Sequence, residues 1–146
     1  MMVRVFLPSM SSPVKDFVVG VLASEGFVYD LEKDLDLDDI AANYLQNGGI
    51  FFVAFINDII VGTCAVKKKS SDKCEIKRLY VHKDFRNMGI GSSLLQKSLE
   101  FATERYKTAT LKTDTSLKPA IKLYLKTGFS VIKEEYRVVY LKKELS

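Results

Sequence analysis

Two periods of apolar and polar positions run along this chain. Strand-like segments, rich in β-branched and aromatic residues, fall at residues 3–7, 50–56, 59–66, 75–81 and 108–113. Asn57-Asp58 separates the second and third of these, a tight-hairpin signature. Helical spacing takes over elsewhere. Phe17, Val18, Val21 and Leu22 recur on one face after Ser11-Ser12-Pro13, and Gly26 ends that helix. Asp36-Leu37-Asp38-Asp39 reads as the cap and first turn of a second helix. Leu94, Leu95, Leu99, Ala102 and Tyr106 mark a long amphipathic third. Lys118-Pro119-Ala120 opens a fourth, which Gly128 stops. Residues 129–132 and 136–141 are expected to close the chain as two short strands. The order β-α-α-β-β-β-α-β-α-β-β predicts an α/β domain spanning residues 1–146, a mixed sheet covered by helices on both faces.

The stretch 30–39 carries six carboxylates against Lys33. Negative charge at a helix start is stabilised by the helix dipole. The alternative is that some of these carboxylates attract a cationic substrate.

Composition narrows the classes. With 47% hydrophobic and 27% charged residues the chain is an ordinary globular protein. The net charge is +4, and the 22 basic residues are spread out, with no tract denser than Lys67-Lys68-Lys69, so no nucleic-acid partner is expected. Cys64 and Cys74 form no Cys-x-x-Cys pair, and the lone His82 cannot complete a metal site with them. Reduced, buried thiols fit a cytoplasmic location. The longest apolar runs are about seven residues, against about 20 for a membrane span. No membrane partner is expected.

The most informative segment is Leu79-Tyr80-Val81-His82-Lys83-Asp84-Phe85-Arg86-Asn87-Met88-Gly89-Ile90-Gly91-Ser92, a strand running through a loop into a long helix. The first turn of a helix exposes unpaired N–H groups backed by the positive end of the dipole, an anion site. Gly89 and Gly91 let the backbone come close to a phosphate, and Arg86 adds a charged fork. A Walker A motif is absent, and Gly-Ile-Gly-Ser-Ser-Leu lacks the third glycine of the dinucleotide fingerprint.

Arg86-x-x-Gly89-x-Gly91 after a strand resembles the Arg/Gln-x-x-Gly-x-Gly/Ala loop of the GNAT superfamily of acyl-CoA-dependent N-acetyltransferases. Pro119-Ala120-Ile121-Lys122-Leu123-Tyr124-Leu125-Lys126-Thr127-Gly128-Phe129 resembles that superfamily's Ala-x-x-Leu-Tyr-x-x-x-Gly-Phe segment. The resemblance covers the whole chain and is sharpest over residues 75–129. It implies a mostly antiparallel, twisted sheet of six or seven strands with about four helices, splayed between strands 4 and 5. Acetyl-CoA is then the co-substrate, with no metal. Its arm is expected along the backbone of Leu79 and Val81, and its pyrophosphate on the amides of Asn87, Met88, Gly89, Ile90, Gly91 and Ser92. Leu117, flanked by Ser116 and Lys118, stands where many relatives carry an asparagine that bonds the cofactor arm.

The implied reaction transfers acetyl to a primary amine, in a monomer or a homodimer. A lysine-like amine has a pKa near 10.4, so freeing its lone pair at pH 7 costs about 4.6 kcal/mol and a base is useful. Glu75 is one candidate; Asp114, His82 and bulk water are others. The resemblance makes Tyr124 the group facing the leaving sulfur, as acid or as positioning donor; otherwise it is part of a core stripe. Arg78 and Tyr80 line the acceptor pocket, or are an exposed arginine and a half-buried aromatic. Lys118, Lys122 and Lys126 form a solvated face or meet the cofactor's 3′-phosphate. The acceptor, a small polyamine-like or amino-acid amine, an antibiotic amine, or a protein lysine or N-terminus, is expected to be shaped by about residues 25–46, whose acidity mildly favours a cation. A non-catalytic acyl-CoA sensor of the same fold and a nucleic-acid binder are the alternatives.

Overall fold

The strands are β1 (Met2–Val5), β2 (Ile50–Ile56), β3 (Ile59–Lys68), β4 (Lys73–Val81), β5 (Thr108–Asp114), β6 (Ser130–Glu135) and β7 (Val138–Glu144). The computed structural model describes every residue except Tyr29, Leu31 and Ser146. The strands form one sheet in the order β1-β2-β3-β4-β5-β7-β6. Every pairing is antiparallel except the parallel contact of β4 with β5. Among the described residues the α-helices are α1 (Ser11–Ser24), α2 (Ile40–Asn43), α3 (Ile90–Thr103) and α4 (Lys118–Lys126).

A hydrophobic core lies on each face of the sheet. On one face Val14 and Val18 of α1 and Ile40 of α2 pack with Phe51, Val53, Ala65 and Tyr80. On the other, Ile90, Leu94, Leu95 and Leu99 of α3 and Tyr124 of α4 pack with Val61, Cys64, Ile76 and Leu111. Gly62 sets how closely α3 docks on β3. A Cβ there would meet Leu94 Cδ1 at 2.8 Å and Ile90 Cγ2 at 3.1 Å.

Several boundaries depart from the sequence expectation. The second helix is only the four residues of α2, preceded by a 3-10 turn at Leu35–Asp38. The polar loop after β3 is a hairpin, because β3 runs to Lys68 and β4 starts at Lys73. Tyr136 and Arg137, expected in the last strand, form the β6–β7 turn with φ of +51° and +68°. Asn57 and Asp58 take the left-handed turn that their sequence announced, with φ of +50° and +64°. Among the described residues no helix is long and apolar enough to cross a membrane.

Candidate active site in the split of the sheet

β4 and β5 pair only at Lys73 with Thr108, Cys74 with Ala109 and Glu75 with Thr110. Beyond that point each strand keeps its outer partner. β4 follows β3 as far as Val81, and β5 follows β7 over Thr108–Asp114. The facing backbone edges of residues 76–81 and 111–114 are therefore left without strand partners. Buried or cleft-lining amide edges of this kind need hydrogen bonds from elsewhere.

A bulge on β4 controls what faces the split. Thr63 pairs with Tyr80 and Ala65 with Lys77, so Arg78 and Leu79 together oppose Cys64. Arg78 takes the extra residue with a left-handed φ of +56°. The bulge reverses the alternation of side chains along the strand. Cys74 and Ile76 before it face the α3/α4 core, and so do Leu79 and Val81 after it. Tyr80 faces the α1/α2 core. The N–H of His82 donates to the carbonyl of Val61 at 2.8 Å. By strand alternation this turns the backbone groups of Leu79 and Val81 away from β3, toward the split.

Arg78 is buried in an ion cluster. Its Nη2 donates to Asp34 Oδ1 at 2.9 Å, to Asp36 Oδ1 at 2.6 Å and to the Lys33 carbonyl at 3.2 Å. Its Nε donates to Asp36 Oδ2 at 3.1 Å, and its Nη1 to the Tyr80 hydroxyl at 3.3 Å. Tyr44 donates its own hydroxyl to Asp36. Thr63 Oγ1 holds the Arg78 carbonyl at 2.8 Å. Burial alone would raise the Asp36 carboxyl; the Arg78 fork and the Tyr44 hydroxyl outweigh it and hold it below the ordinary carboxylate range. Arg78 is thus neither an exposed arginine nor a free cation.

The acidic stretch is occupied in the same way. Asp30 accepts from the Glu32 and Lys33 amides, Asp38 pairs with Lys15, and Asp39 caps α2 by accepting from Ala42 N–H at 3.1 Å. The carboxylates for which attraction of a cation was the alternative largely build the loop that carries them. Tyr29 and Leu31 in this stretch lie outside the described residues.

At the mouth of the split the loop enters α3. Asn87 and Gly89 take φ of +63° and +80°, and Gly89 caps α3 with no side-chain bond to the first turn. The first intrahelical bond is Ser93 N–H to the Gly89 carbonyl at 3.0 Å, so the amides of Ile90, Gly91 and Ser92 have no intrahelical acceptor. A Cβ at Gly89 would meet nothing within 4 Å, so the side of this cap is open. Gly91 sits where three elements converge, since a Cβ there would lie 3.4 Å from Val81 Cγ2 and 3.7 Å from Leu123 Cδ2. Met88 is exposed beside them. Arg86 turns to helix α1's end: its Nη2 pairs with Glu25 at 2.6 Å and its Nε donates to the Val81 carbonyl at 3.4 Å. Its guanidinium braces the loop there.

Tyr124 comes from α4 into the α3/α4 core, edge-on to Phe129 with ring centroids 6.1 Å apart. Burial, reinforced by the nearby Cys64 and Tyr80, pushes its phenol well above the ordinary value. Among the described residues its hydroxyl has no hydrogen-bond partner. Glu75 is buried on the opposite face, at the last β4–β5 pair, with Lys69 Nζ 3.6 Å from its carboxylate. It lines a cavity of about 270 Å³ with Lys69, Thr110, Lys112, Ile132 and Tyr140. Tyr124 and Glu75 thus stand on opposite faces of the sheet. A wider groove of about 630 Å³ follows α3, lined by Gln96, Glu100 and Glu104 among others, and its carboxylates disfavour an anionic guest.

An open sheet edge beside an uncapped helix start can hold an extended chain ending in a diphosphate. The sequence model of the acetyltransferase (GNAT) family matches residues 19–129. The chain belongs to that family. N-acetylaspartate synthetase of Danio rerio is 33% identical over 108 residues, covering 72% of this chain and 38% of that protein. The chain therefore spans well under two thirds of this relative's length. A GNAT-family acetyltransferase from Staphylococcus aureus Mu50 superposes with a TM-score of 0.91 at 25% identity, covering 99% of each chain. The PaiA N-acetyltransferase of Thermoplasma acidophilum, solved with coenzyme A, shares the fold at a TM-score of 0.78 and 15% identity, again covering 99% of each.

Neither the bulge nor the partners of Arg78 had a signal in the sequence, since arginine is no marker of a left-handed residue. Lys112 was findable: the period of two puts it on the same face of β5 as Thr110 and Asp114.

Proposed function

We propose that this GNAT-family chain binds acetyl-CoA in the split between β4 and β5 and transfers the acetyl group to a primary amine. One observation carries the reading: the unpartnered edges of β4 and β5 open beside the uncapped N-terminus of α3. The residues fit the co-substrate. Leu79 and Val81 turn backbone groups to the split, where a pantetheine amide can pair as an added strand would. The amides of Asn87, Met88, Gly89, Ile90, Gly91 and Ser92 supply donors for a pyrophosphate, backed by the α3 dipole. Arg86 acts by bracing this loop against Glu25 and Val81.

In the transfer the amine nitrogen attacks the thioester carbonyl. A C–N bond forms, the C–S bond breaks, and the electron pair leaves on sulfur. Glu75, on the face opposite α3 and α4, takes the proton that the amine sheds, directly or through water. Tyr124 serves the departing sulfur from the other face. A thiol has a pKa near 8.5, below that of a raised phenol, so full proton transfer from Tyr124 is uphill. Its role is hydrogen-bond donation to the thiolate. Arg78 and Tyr80 form the wall of the acceptor side, with Arg78 neutralised by Asp34 and Asp36.

The test is release of free CoA from acetyl-CoA in the presence of an amine panel, followed with a thiol reagent. Amine-dependent release supports the proposal. Tight acetyl-CoA binding with no release from any amine would favour an acyl-CoA sensor instead.

A further inference from the structure

Charge on the acceptor face points away from the cationic amine that the acidic stretch suggests. Besides α1, α2 and β2, which pack the core on that face, the elements presenting charged side chains beside the split are β3, β4, β5, β7 and the loop before α2. Glu75 is matched by Lys69, Asp114 by Arg137 at 3.7 Å, and Glu144 by Lys142 at 3.1 Å. Arg78 stands against Asp34 and Asp36, which leaves one surplus negative charge in that cluster.

Lys73 adds its charge to that of Lys142 beside Glu144, and three further lysines remain. Lys67 pairs across the sheet with Glu75 and lies 5.9 Å from the Tyr44 ring. Lys77 pairs across with Ala65, whose face is that of the α1/α2 core, and it is half-buried. Lys112 pairs across with Tyr140 and lines the 270 Å³ cavity with Lys69 and Glu75. Among the described residues none of the three has a carboxylate within 4 Å. Lys77 is the next residue of β4 on this face after Glu75, just past the last β4–β5 pair, so it borders the split. The charges of Glu75 and Asp36 act on Lys77 without pairing with it directly, and its half-buried ammonium gains from a carboxylate in contact.

We infer that the acceptor is an amine that also carries a carboxylate, an amino acid, whose carboxylate lies between Lys77 and Lys112 while its amine faces Glu75 and the split. This rests on the transfer reading above and specifies the substrate class of that site. Polyamines and aminoglycoside-like polycations are disfavoured, because they would meet Lys77 and Lys112, neither of which is held in a direct ion pair. A protein lysine, with no carboxylate beside its amine, gains nothing from Lys77 or Lys112.

The experiment compares amino acids carrying a free carboxylate (aspartate, glutamate, glycine) with their methyl esters and with putrescine and spermidine, reading CoA release by the full chain. The free acids are expected to exceed their esters at least tenfold in kcat/KM. Lys112→Gln, a change at an exposed position, should raise KM for the acids about tenfold and leave kcat and the ester kinetics within twofold. Lys77→Gln should do the same, with circular dichroism checking its fold. Esters or polyamines turned over as well as the free acids, or an acid-to-ester ratio unmoved by Lys112→Gln, would overturn the inference. Calorimetric titration of the same preparation with acetyl-CoA separates the two levels: no binding overturns the transfer reading, whereas binding with a preference for polycations overturns only the acceptor class.

Discussion

Arg78→Leu removes the only cation in contact with Asp34 and Asp36 among the described residues, and both carboxylates are then left in a site where their side chains are 9% and 6% exposed. Breaking a buried ion pair from one side costs about 3–5 kcal/mol, because the remaining charge has no compensation. Leucine gives no relief in return, since the left-handed φ of +56° is as strained for it as for arginine. Against a total stability of about 5–15 kcal/mol this is a large fraction. Urea unfolding followed by far-ultraviolet circular dichroism measures it, as the chain has no tryptophan to report by fluorescence. Arg78→Lys should lose less, keeping the charge but not the fork. Adding Asp34→Asn and Asp36→Asn to Arg78→Leu should recover part of the loss. The pH dependence has a definite sign. Asp36 is held below its unfolded value, so its contribution is full above about pH 4 and disappears as pH falls through the lowered folded value. The gap between wild type and Arg78→Leu should therefore narrow in acid. A loss under about 1 kcal/mol at neutral pH, or no recovery in the triple variant, would refute the account of this cluster.

Tyr124→Phe should lower kcat by about one to two orders of magnitude through the lost donor, with the affinity for acetyl-CoA little changed, read by steady-state kinetics alongside calorimetry. Gly91→Val, whose branches would extend from a Cβ already 3.4 Å from Val81 and 3.7 Å from Leu123, should weaken acetyl-CoA binding more than tenfold in a calorimetric titration. Cys64 and Cys74 are buried and their thiols pushed up to about 12 by burial; a thiol reagent at pH 8 should find neither in the folded protein and both in denaturant.

Elements with strong local signals were legible before any coordinates. The amphipathic stripe of α3, the Lys118-Pro119 start of α4 and the Asn57-Asp58 turn all follow from chemistry within a few residues. The features that shape the split and the loop before α3 depend on residues far apart in the chain. Arg78 meets Asp36 across 42 positions and Arg86 meets Glu25 across 61. A bulge carried by arginine and a turn carried by Tyr136-Arg137 have no glycine or asparagine to mark them, so strict alternation misplaces the faces on either side. The acidic stretch was legible only in part. Its composition was visible, but its employment by Arg78, Lys15 and the α2 cap was not.

Amide hydrogen exchange with and without acetyl-CoA tests the central claim most directly. Bound acetyl-CoA should slow exchange at residues 87–92 and at Leu79 and Val81, and leave the β6–β7 hairpin unchanged. Binding that protects neither the start of α3 nor the open edge of β4, or that protects only the groove beside Gln96 and Glu100, would contradict it.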